Sequence, residues 1–249
     1  VATFAIISDL HSNLEATDAV FARIEELGLQ DVVCLGDVVG YGADPLPVAA
    51  QVMQRCRWTI VGNHDWGLFH NMDDFNPLAR DALLYTRSQL KPSWFRRQRR
   101  QVYDFLRDLP DRKEDFSFKF YHGSPRDPVM EYVMKSDGFL EPEKMQQLFA
   151  LVDGPCFVGH THWPGVHRPD YRFVQATDEQ REFELDGPCI VNVGSVGQPR
   201  DGDPRASFAV VRDDRVQIER VPYDFRCTQA KIIAAGLHPA LAERLARGK

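Results

Sequence analysis

Cysteine is scarce in this chain, and what there is has no pattern. Five cysteines, an odd number with no Cys-x-x-Cys pair, do not make a disulfide framework. Cys34, Cys156 and Cys189 each lie inside an apolar run, where a free thiol acts as a small buried hydrophobe. That usage suits a reducing compartment, and the cytoplasm is the location expected. Long hydrophobic runs are missing too. None approaches the roughly 18 residues a membrane helix needs. The apolar stretch Val1 to Ile7 meets Ser8 and Asp9 too early, without a basic start, for a signal peptide. Positive charge is not in excess: a net charge of -6 argues against general binding to nucleic acid or to anionic membranes. Internal repeats, low-complexity segments and linkers are also absent. With 43% hydrophobic and 27% charged residues over 249 positions, the chain reads as one globular domain spanning residues 1–249.

What is present first is an alternation. Phe4 to Ile7 is a continuous apolar run, as in strands buried on both faces. Ser12-Asn13-Leu14-Glu15 matches a capping box with Ser12 as N-cap, and the helix that follows carries Leu14, Val20, Phe21, Ile24 and Leu27 on one stripe up to Gly28. Asp31 to Leu35 is a second strand, Pro45 to Arg55 a helix and Trp58 to Val61 a third strand, the order expected of a parallel sheet with crossover helices. Residues 65 to 109 read as mostly helical. Strands follow at 116–120, 156–158, 171–176, 189–193, 206–211 and 216–221, with helices at 142–151 and 225–247. This strand-rich second half is expected to form another sheet packed on the first. The run Trp94-Phe95-Arg96-Arg97-Gln98-Arg99-Arg100 reads as a solvated basic helix face with Trp94 and Phe95 tucked inward.

Each early apolar run ends in a polar cluster: Ser8-Asp9-Leu10-His11, Gly36-Asp37, Gly62-Asn63-His64-Asp65, His122-Gly123-Ser124 and Gly159-His160-Thr161-His162. Ligands of open α/β sheets bind beyond the carboxyl ends of strands, so these clusters should converge on one rim. Five of the eight histidines stand at those ends; His70, His167 and His238 do not. In a strand end, His160 and His162 leave the same face, and two imidazoles side by side call for a shared metal ion. Carboxylate, imidazole and amide donors without thiolate suit manganese, iron or zinc. Two carboxylates, four imidazoles and one amide exceed the needs of a single catalytic ion and fit two ions sharing Asp37. Such a site lowers the pKa of bound water from about 15.7 towards about 7, on the order of 11 kcal/mol of easier deprotonation.

As an ordered set, Asp9-Leu10-His11, Gly36-Asp37, Gly62-Asn63-His64-Asp65, His122 and Gly159-His160-Thr161-His162 resemble the five signature blocks of calcineurin-like metallophosphoesterases. Asn192-Val193-Gly194-Ser195-Val196-Gly197 is similar to a turn of that superfamily's small bacterial phosphodiesterases. The resemblance implies an α/β fold of the αββα two-sheet sandwich type and a hydrolase acting on phosphate esters. It implies that Asp9, His11, Asp37 and His162 bind a first divalent ion. Asp37 would bridge to a second, completed by Asn63, His122 and His160, with manganese the first choice and iron or zinc the alternatives. A metal-bridging hydroxide would attack phosphorus in line, and His64 would act as proton donor or electrostatic stabiliser at the leaving oxygen.

The chain departs from protein serine/threonine phosphatases, which carry Asp-Arg-Gly where Gly40-Tyr41-Gly42 stands here. A phosphodiesterase on a small or nucleotide-type phosphorylated substrate is the activity expected. Phosphomonoester hydrolysis, dinucleoside polyphosphate hydrolysis and a non-catalytic scaffold are the rivals. Asp44 and Asp65 are candidates to steady His64, although Asp65 also suits capping of the next helix. Arg126 and Arg200 flank pocket motifs with a fork suited to phosphate, or are surface arginines beside proline turns. Tyr41 either stacks on a substrate or covers the site.

Overall fold

The computed structural model describes residues 3–92 and 95–249. In chain order the first half runs β1 (Thr3–Ile7), α1 (Leu14–Glu26), β2 (Val32–Cys34), α2 (Pro45–Arg55), β3 (Trp58–Thr59), α3 (Asn63–Gly67), α4 (Pro77–Leu90) and α5 (Arg97–Arg107). Next come β4 (Arg112–Asp115), β5 (Phe118–Tyr121), α6 (Asp137–Leu140), α7 (Pro142–Phe149), β6 (Pro155–Val158), β7 (Gly165–His167), β8 (Phe173–Gln175), β9 (Glu182–Glu184) and β10 (Cys189–Asn192). The long pair β11 (Ala206–Arg212) and β12 (Arg215–Val221), then α8 (Phe225–Ala234), α9 (Pro239–Glu243) and a 3-10 turn (Arg244–Arg247), complete the chain.

Two six-stranded sheets pack face to face, ordered β3-β2-β1-β11-β12-β9 and β4-β5-β6-β10-β7-β8. The period of two along β1 sorts its residues. Phe4 and Ile6 enter the core between the sheets with Val33, Phe120, Phe157 and Val191. Ala5 and Ile7 face the outer helices with Val20, Phe21, Ile24 and Leu83. On the far side Met145 and Leu148 of α7 cover Cys156, Val158 and Ile190. The layers are therefore helix, sheet, sheet, helix, and the αββα sandwich stands. No helix among the described residues is long and apolar enough to cross a membrane.

Some local expectations need correction. The second half does form the other sheet, from β4, β5, β6, β10, β7 and β8, but three of its strands, β9, β11 and β12, extend the first. β11 lies antiparallel along the free edge of β1, pairing Phe4 with Val211 and Ile6 with Ala209, so neither edge of the central strand is left open. Asn13, not Ser12, caps α1, accepting from the Ala16 N–H, while Glu15 turns away to Thr228 and Lys231. Ser12 cannot serve, because it continues a left-handed loop with φ 54°. Phe95 is not tucked inward but 93% exposed, since α5 buries only Val102 and Leu106 beneath its arginines; Trp94 lies outside the described residues. The expected C-terminal helix is broken at Gly236, whose φ of +72° no helix tolerates.

His167 is buried in β7 with its ring 4.8 Å from that of Phe173, and burial pushes its pKa down to about 4. The unfolded chain, with an ordinary value near 6.5, takes up the proton first. This residue's contribution is therefore whole above about pH 6.5 and is lost as pH falls towards about 4, costing about 2 kcal/mol at pH 5. In His167→Phe the denaturant midpoint should fall less between pH 7 and pH 5 than in the wild type. Parallel slopes would refute this assignment.

Candidate metal centre

The polar clusters do meet. Asp9 and His11 follow β1, Asp37 follows β2, and Asn63 and His64 open α3 just after β3. His122 follows β5, and His160 and His162 follow β6. All five strands run in the parallel portions of the two sheets, so their carboxyl ends point to one edge of the sandwich. Within that edge three groups of donor atoms draw together: Asp9 with His11 and His162, His11 with Asp37 and His64, and Asp37 with His122 and His160.

The backbone is strained where the donors sit. Asp9, His11, Asp37, His160 and His162 adopt φ values of 55°, 48°, 50°, 66° and 62°. Left-handed conformations are uncommon for residues with a Cβ and cost of order 1–3 kcal/mol each, so surrounding structure has to enforce them. Here that structure is visible. Ser195 Oγ donates to the Asp9 carbonyl (2.8 Å), and the N–H groups of Val196 and Gly197 donate to Ser8 and Asp9 carbonyls. Asn192 Nδ2 donates to the Gly159 carbonyl (2.6 Å) and to Thr161 Oγ1 (2.8 Å), fixing the turn that presents His160 and His162. The Asn192–Gly197 turn is thus a brace for the donor loops.

Carbonyl partners fix the histidine tautomers, because a carbonyl can only accept. His11 Nδ1 donates to Val39 (3.2 Å), His122 Nδ1 to Leu35 (2.9 Å) and His162 Nδ1 to Gln198 (2.5 Å), leaving each Nε2 with its lone pair inward. His160 is reversed: Nε2 donates to Met130 (3.1 Å) and Nδ1 faces inward. As neutral rings these present facing lone pairs, His11 to His162 at 3.2 Å and His122 to His160 at 3.2 Å, with Asn63 Oδ1 3.3 Å from His122. Asp37 lies between the pairs. Its Oδ1 accepts from the His64 N–H (2.8 Å), while Oδ2 stands 3.6 Å from His11 Nε2 and 3.5 Å from His122 Nε2. Asp9 Oδ2 accepts from Ser8 and from the His160 N–H. Its Oδ1 is buried with no hydrogen-bond partner: His162 Nε2, 3.0 Å away, is the unprotonated nitrogen of a ring whose Nδ1 donates to Gln198. Opposed lone pairs and an orphaned carboxylate oxygen are what a cation on each side of Asp37 would satisfy. The residues fit two divalent ions.

Charges in the site follow from burial and neighbours. Burial works against ionising Asp9 and Asp37, but the surrounding imidazoles prevail and hold both well below the usual carboxylate range. Burial likewise opposes the His122 cation, yet Asp37 and Asp9 raise its pKa to about 9, so without an ion its Nε2 carries a proton that a bound ion would displace. His160 is pushed down to about 3 by burial and by His122, and His64 to about 4 by burial with Arg200, His162 and His122 adding. Asp65 is raised to about 7 by burial and by Asp37.

His64 has no carboxylate behind it. Asp44 is engaged by Lys231 (2.8 Å), and Asp65 accepts from the N–H groups of Gly62, Val38 and Val39. His64 Nδ1 lacks a hydrogen-bond partner, and the ring is held by packing: Tyr41 at 4.4 Å, His11 at 4.9 Å and Phe75 at 5.4 Å between centroids. Gly40, at φ +94°, leaves the room: a Cβ there would lie 2.3 Å from His64 Nδ1.

Of the three residues expected to meet substrate, Tyr41 packs against His11 and His64, and Arg200 stands over Tyr41. Arg126 instead joins Glu131 and Gln147 in an exposed network, so its guanidinium is already taken. Sequence reasoning missed Tyr132, which stacks on His160 at 3.6 Å, and Arg244, which joins Arg200 at the Gln198 side chain. Neither stands in a motif; both arrive from segments distant in the chain.

A two-sheet sandwich with paired metal-ligand groups at the carboxyl ends of its parallel strands has the donors that a metal-dependent phosphoesterase needs. The relationships of the chain agree. Residues 3–215 match the calcineurin-like phosphoesterase superfamily domain, and the chain belongs to that family. It is accordingly a metal-dependent hydrolase of phosphate esters. The uncharacterized protein MJ0912 of Methanocaldococcus jannaschii is 34% identical over 98% of both chains. A metallophosphoesterase from Sphaerobacter thermophilus is 36% identical, covers 99% of both chains and superposes with a TM-score of 0.85. The hypothetical protein PH1004 from Pyrococcus horikoshii shares the fold at 18% identity, covering 100% of this chain and 99% of its own, with a TM-score of 0.76.

A Cβ on Gly62 would lie 2.2 Å from both the backbone nitrogen and Oδ1 of Asp37. Gly62→Ala should therefore cost about 1–3 kcal/mol by overpacking, measured as a shift of the denaturant midpoint. An unmoved midpoint would show that the Asp37 turn yields freely.

Proposed function

We propose that residues 1–249 form one domain that hydrolyses small or nucleotide-type phosphodiesters at a dinuclear centre in the cytoplasm. The carrying observation is the symmetry about Asp37: one pair of facing imidazole nitrogens on each side of a single carboxylate. Asp9, His11, Asp37 and His162 would hold one ion, and Asp37, Asn63, His122 and His160 the other. Imidazole, carboxylate and amide donors suit manganese, iron and zinc alike, and manganese is taken as the first choice with iron or zinc as alternatives. Two such ions would supply a water of pKa lowered towards about 7 and positive charge to offset that of phosphate.

The remaining chemistry belongs to the chain. His64 is neutral above about pH 4 in its buried setting, which favours its acting as an N–H donor to the leaving oxygen. Tyr41 and Phe75 keep that ring in place and dry. Gly40-Tyr41-Gly42 in place of Asp-Arg-Gly supports a small diester over a phosphoprotein, because no arginine grips phosphate from that loop. All five cysteines are free, in keeping with the cytoplasm.

Manganese-loaded protein should hydrolyse bis(p-nitrophenyl) phosphate faster than p-nitrophenyl phosphate; the reverse order would remove the diester preference. His64→Ala should lower kcat by about 10²–10³-fold with metal content unchanged by elemental analysis, and wild-type turnover in that variant would exclude the role given to His64. Asp37→Asn should lose both ions together. Retention of two ions per chain would mean that Asp37 is not shared.

A further inference from the structure

The segment that follows β5 turns apolar side chains outward. Of the nine large apolar side chains exposed among the described residues, five fall between positions 130 and 140: Met130, Tyr132, Met134, Phe139 and Leu140. That concentration marks a surface that meets something. From Met130 to Met134 exposure alternates: Met130, Tyr132 and Met134 face solvent, while Val133 enters the core with Met145 and Leu148. The wall so formed is held in place. The Met130 carbonyl accepts from His160 Nε2 (3.1 Å), the Tyr132 carbonyl from Lys144 Nζ (2.7 Å), and Asp137 Oδ2 from the Met134 N–H (2.8 Å). Lys135 Nζ stands over the Trp163 ring at 3.3 Å.

Tyr132 carries this wall onto the metal centre. Its ring lies 3.6 Å from that of His160 and 23° from parallel, leaving His160 3% exposed while Tyr132 itself stays 44% exposed. Burial raises the Tyr132 pKa, and the charges of Arg200, Asp37 and Asp9 act on its hydroxyl, so the phenol stands beside the centre. Shielding an imidazole from water takes any apolar side chain. An aromatic ring left open between two methionines does more, because rings and thioethers make favourable contacts with another aromatic group.

A phosphodiester brings two ester groups to such a site. In the proposed mechanism His64, packed with His11, Tyr41 and Phe75, serves the leaving oxygen. Tyr132 belongs to the other flank of Asp37, where His122 faces His160. A diester with its leaving group on the His64 side turns its second group towards Tyr132.

We infer that Tyr132, flanked by Met130 and Met134, receives the ester group that the product keeps, and that this group is planar and aromatic, an aryl ring or a nucleobase. The inference rests on the phosphodiesterase reading and deepens it, since it names the group selected and the side chain that selects it.

Two measurements separate this inference from the reading beneath it. In the first, manganese-loaded wild type, Tyr132→Phe and Tyr132→Leu are compared on phenyl and methyl p-nitrophenyl phosphate, which share a leaving group and differ in the retained one. Tyr132→Leu should raise KM about tenfold on the phenyl ester with kcat held, and less than about twofold on the methyl ester. Tyr132→Phe, which keeps the ring, should match wild type on both. Thymidine 5′-(p-nitrophenyl phosphate), run alongside, tells a nucleobase from an aryl ring by which substrate depends more on Tyr132. In the second, diphenyl and dibutyl phosphate, both apolar but only one of them flat, are titrated calorimetrically into the manganese-loaded protein. Wild type should prefer the diphenyl ester about tenfold, and Tyr132→Leu should abolish the preference. Equal losses on the phenyl and methyl esters would reduce Tyr132 to a cover for His160. That result, no loss on either ester, or equal binding of the two titrants by wild type would overturn the proposal. If wild type cleaved none of the esters, the phosphodiesterase reading would fall, and calorimetry would still decide for or against Tyr132.

Discussion

Asp9 and Asp37 are carboxylates buried completely where the two sheets meet, and their charge has to be answered inside the protein. Removing an ion from water costs several kcal/mol even after relaxation, so a buried carboxylate without a counter-charge does not persist. Protonation is not the answer, because the surrounding imidazoles keep both groups ionised. His122, raised to about 9, supplies one positive charge, while His11, His160 and His162 are all shifted towards neutrality. One imidazolium against two carboxylates leaves the edge of the sandwich electron-rich, with inward lone pairs and Asp9 Oδ1 unpartnered. The site is built to be completed by cations.

That constraint explains features that are otherwise costly. A donor loop in the left-handed region is strained, and five donors share that strain. It is tolerated because each loop leaves the end of a fully buried strand and cannot relax without disturbing the core. The second layer of hydrogen bonds then removes what freedom remains. Asn192 and Ser195 hold loops from two different strands, and Asp65 binds three N–H groups to tie α3 to the turn after Asp37. Gly62 permits the close approach of that turn. Parallel pairing matters as well, since it sends β1, β2, β3, β5 and β6 towards the same edge.

Most of this was legible because the signals are local. An apolar run buried on both faces is continuous, so β1, β2, β6 and β10 stand out, and α2 has its predicted ends because Pro45 starts it and the next strand stops it. The donors were legible because each sits directly after such a run. What could not be read was non-local. β7 and β9, three residues each, are too short to show a period, and β11 joins β1 across some two hundred residues of chain. The capping box at Ser12 fits the residue pattern but fails in the fold, because the demand that His11 turn inward forces Ser12 into a conformation no N-cap uses. The functional loop overrode local propensity there. Arg126 has the neighbours of a phosphate ligand in sequence, yet Glu131 lies close enough to take it.

The surroundings of His64 set this chain apart from the phosphatases that carry Asp-Arg-Gly. Where those enzymes place a carboxylate behind the histidine and an arginine beside the phosphate, Gly40 here opens space and Tyr41 fills it with a ring. Without a carboxylate partner, and lowered to about 4 first of all by burial, the imidazole is neutral at physiological pH, and in the proposed mechanism it would contribute an oriented N–H rather than a stored proton. The positive charge absent from that loop reappears one aromatic ring away, on Arg200 and Arg244 over the other contacts of Tyr41. Moving the guanidiniums from the histidine's own loop to two distant segments separates two tasks. In the proposed mechanism the imidazole is left to the leaving oxygen, while the guanidiniums stand over Tyr41 and meet no carboxylate among the described residues. Tyr41 links the two, packing against the reacting side and supporting the cations on the other. The side chain standing in place of the phosphatase arginine therefore joins the two parts of this edge, its ring packed on His11 and His64 and lying under both guanidiniums.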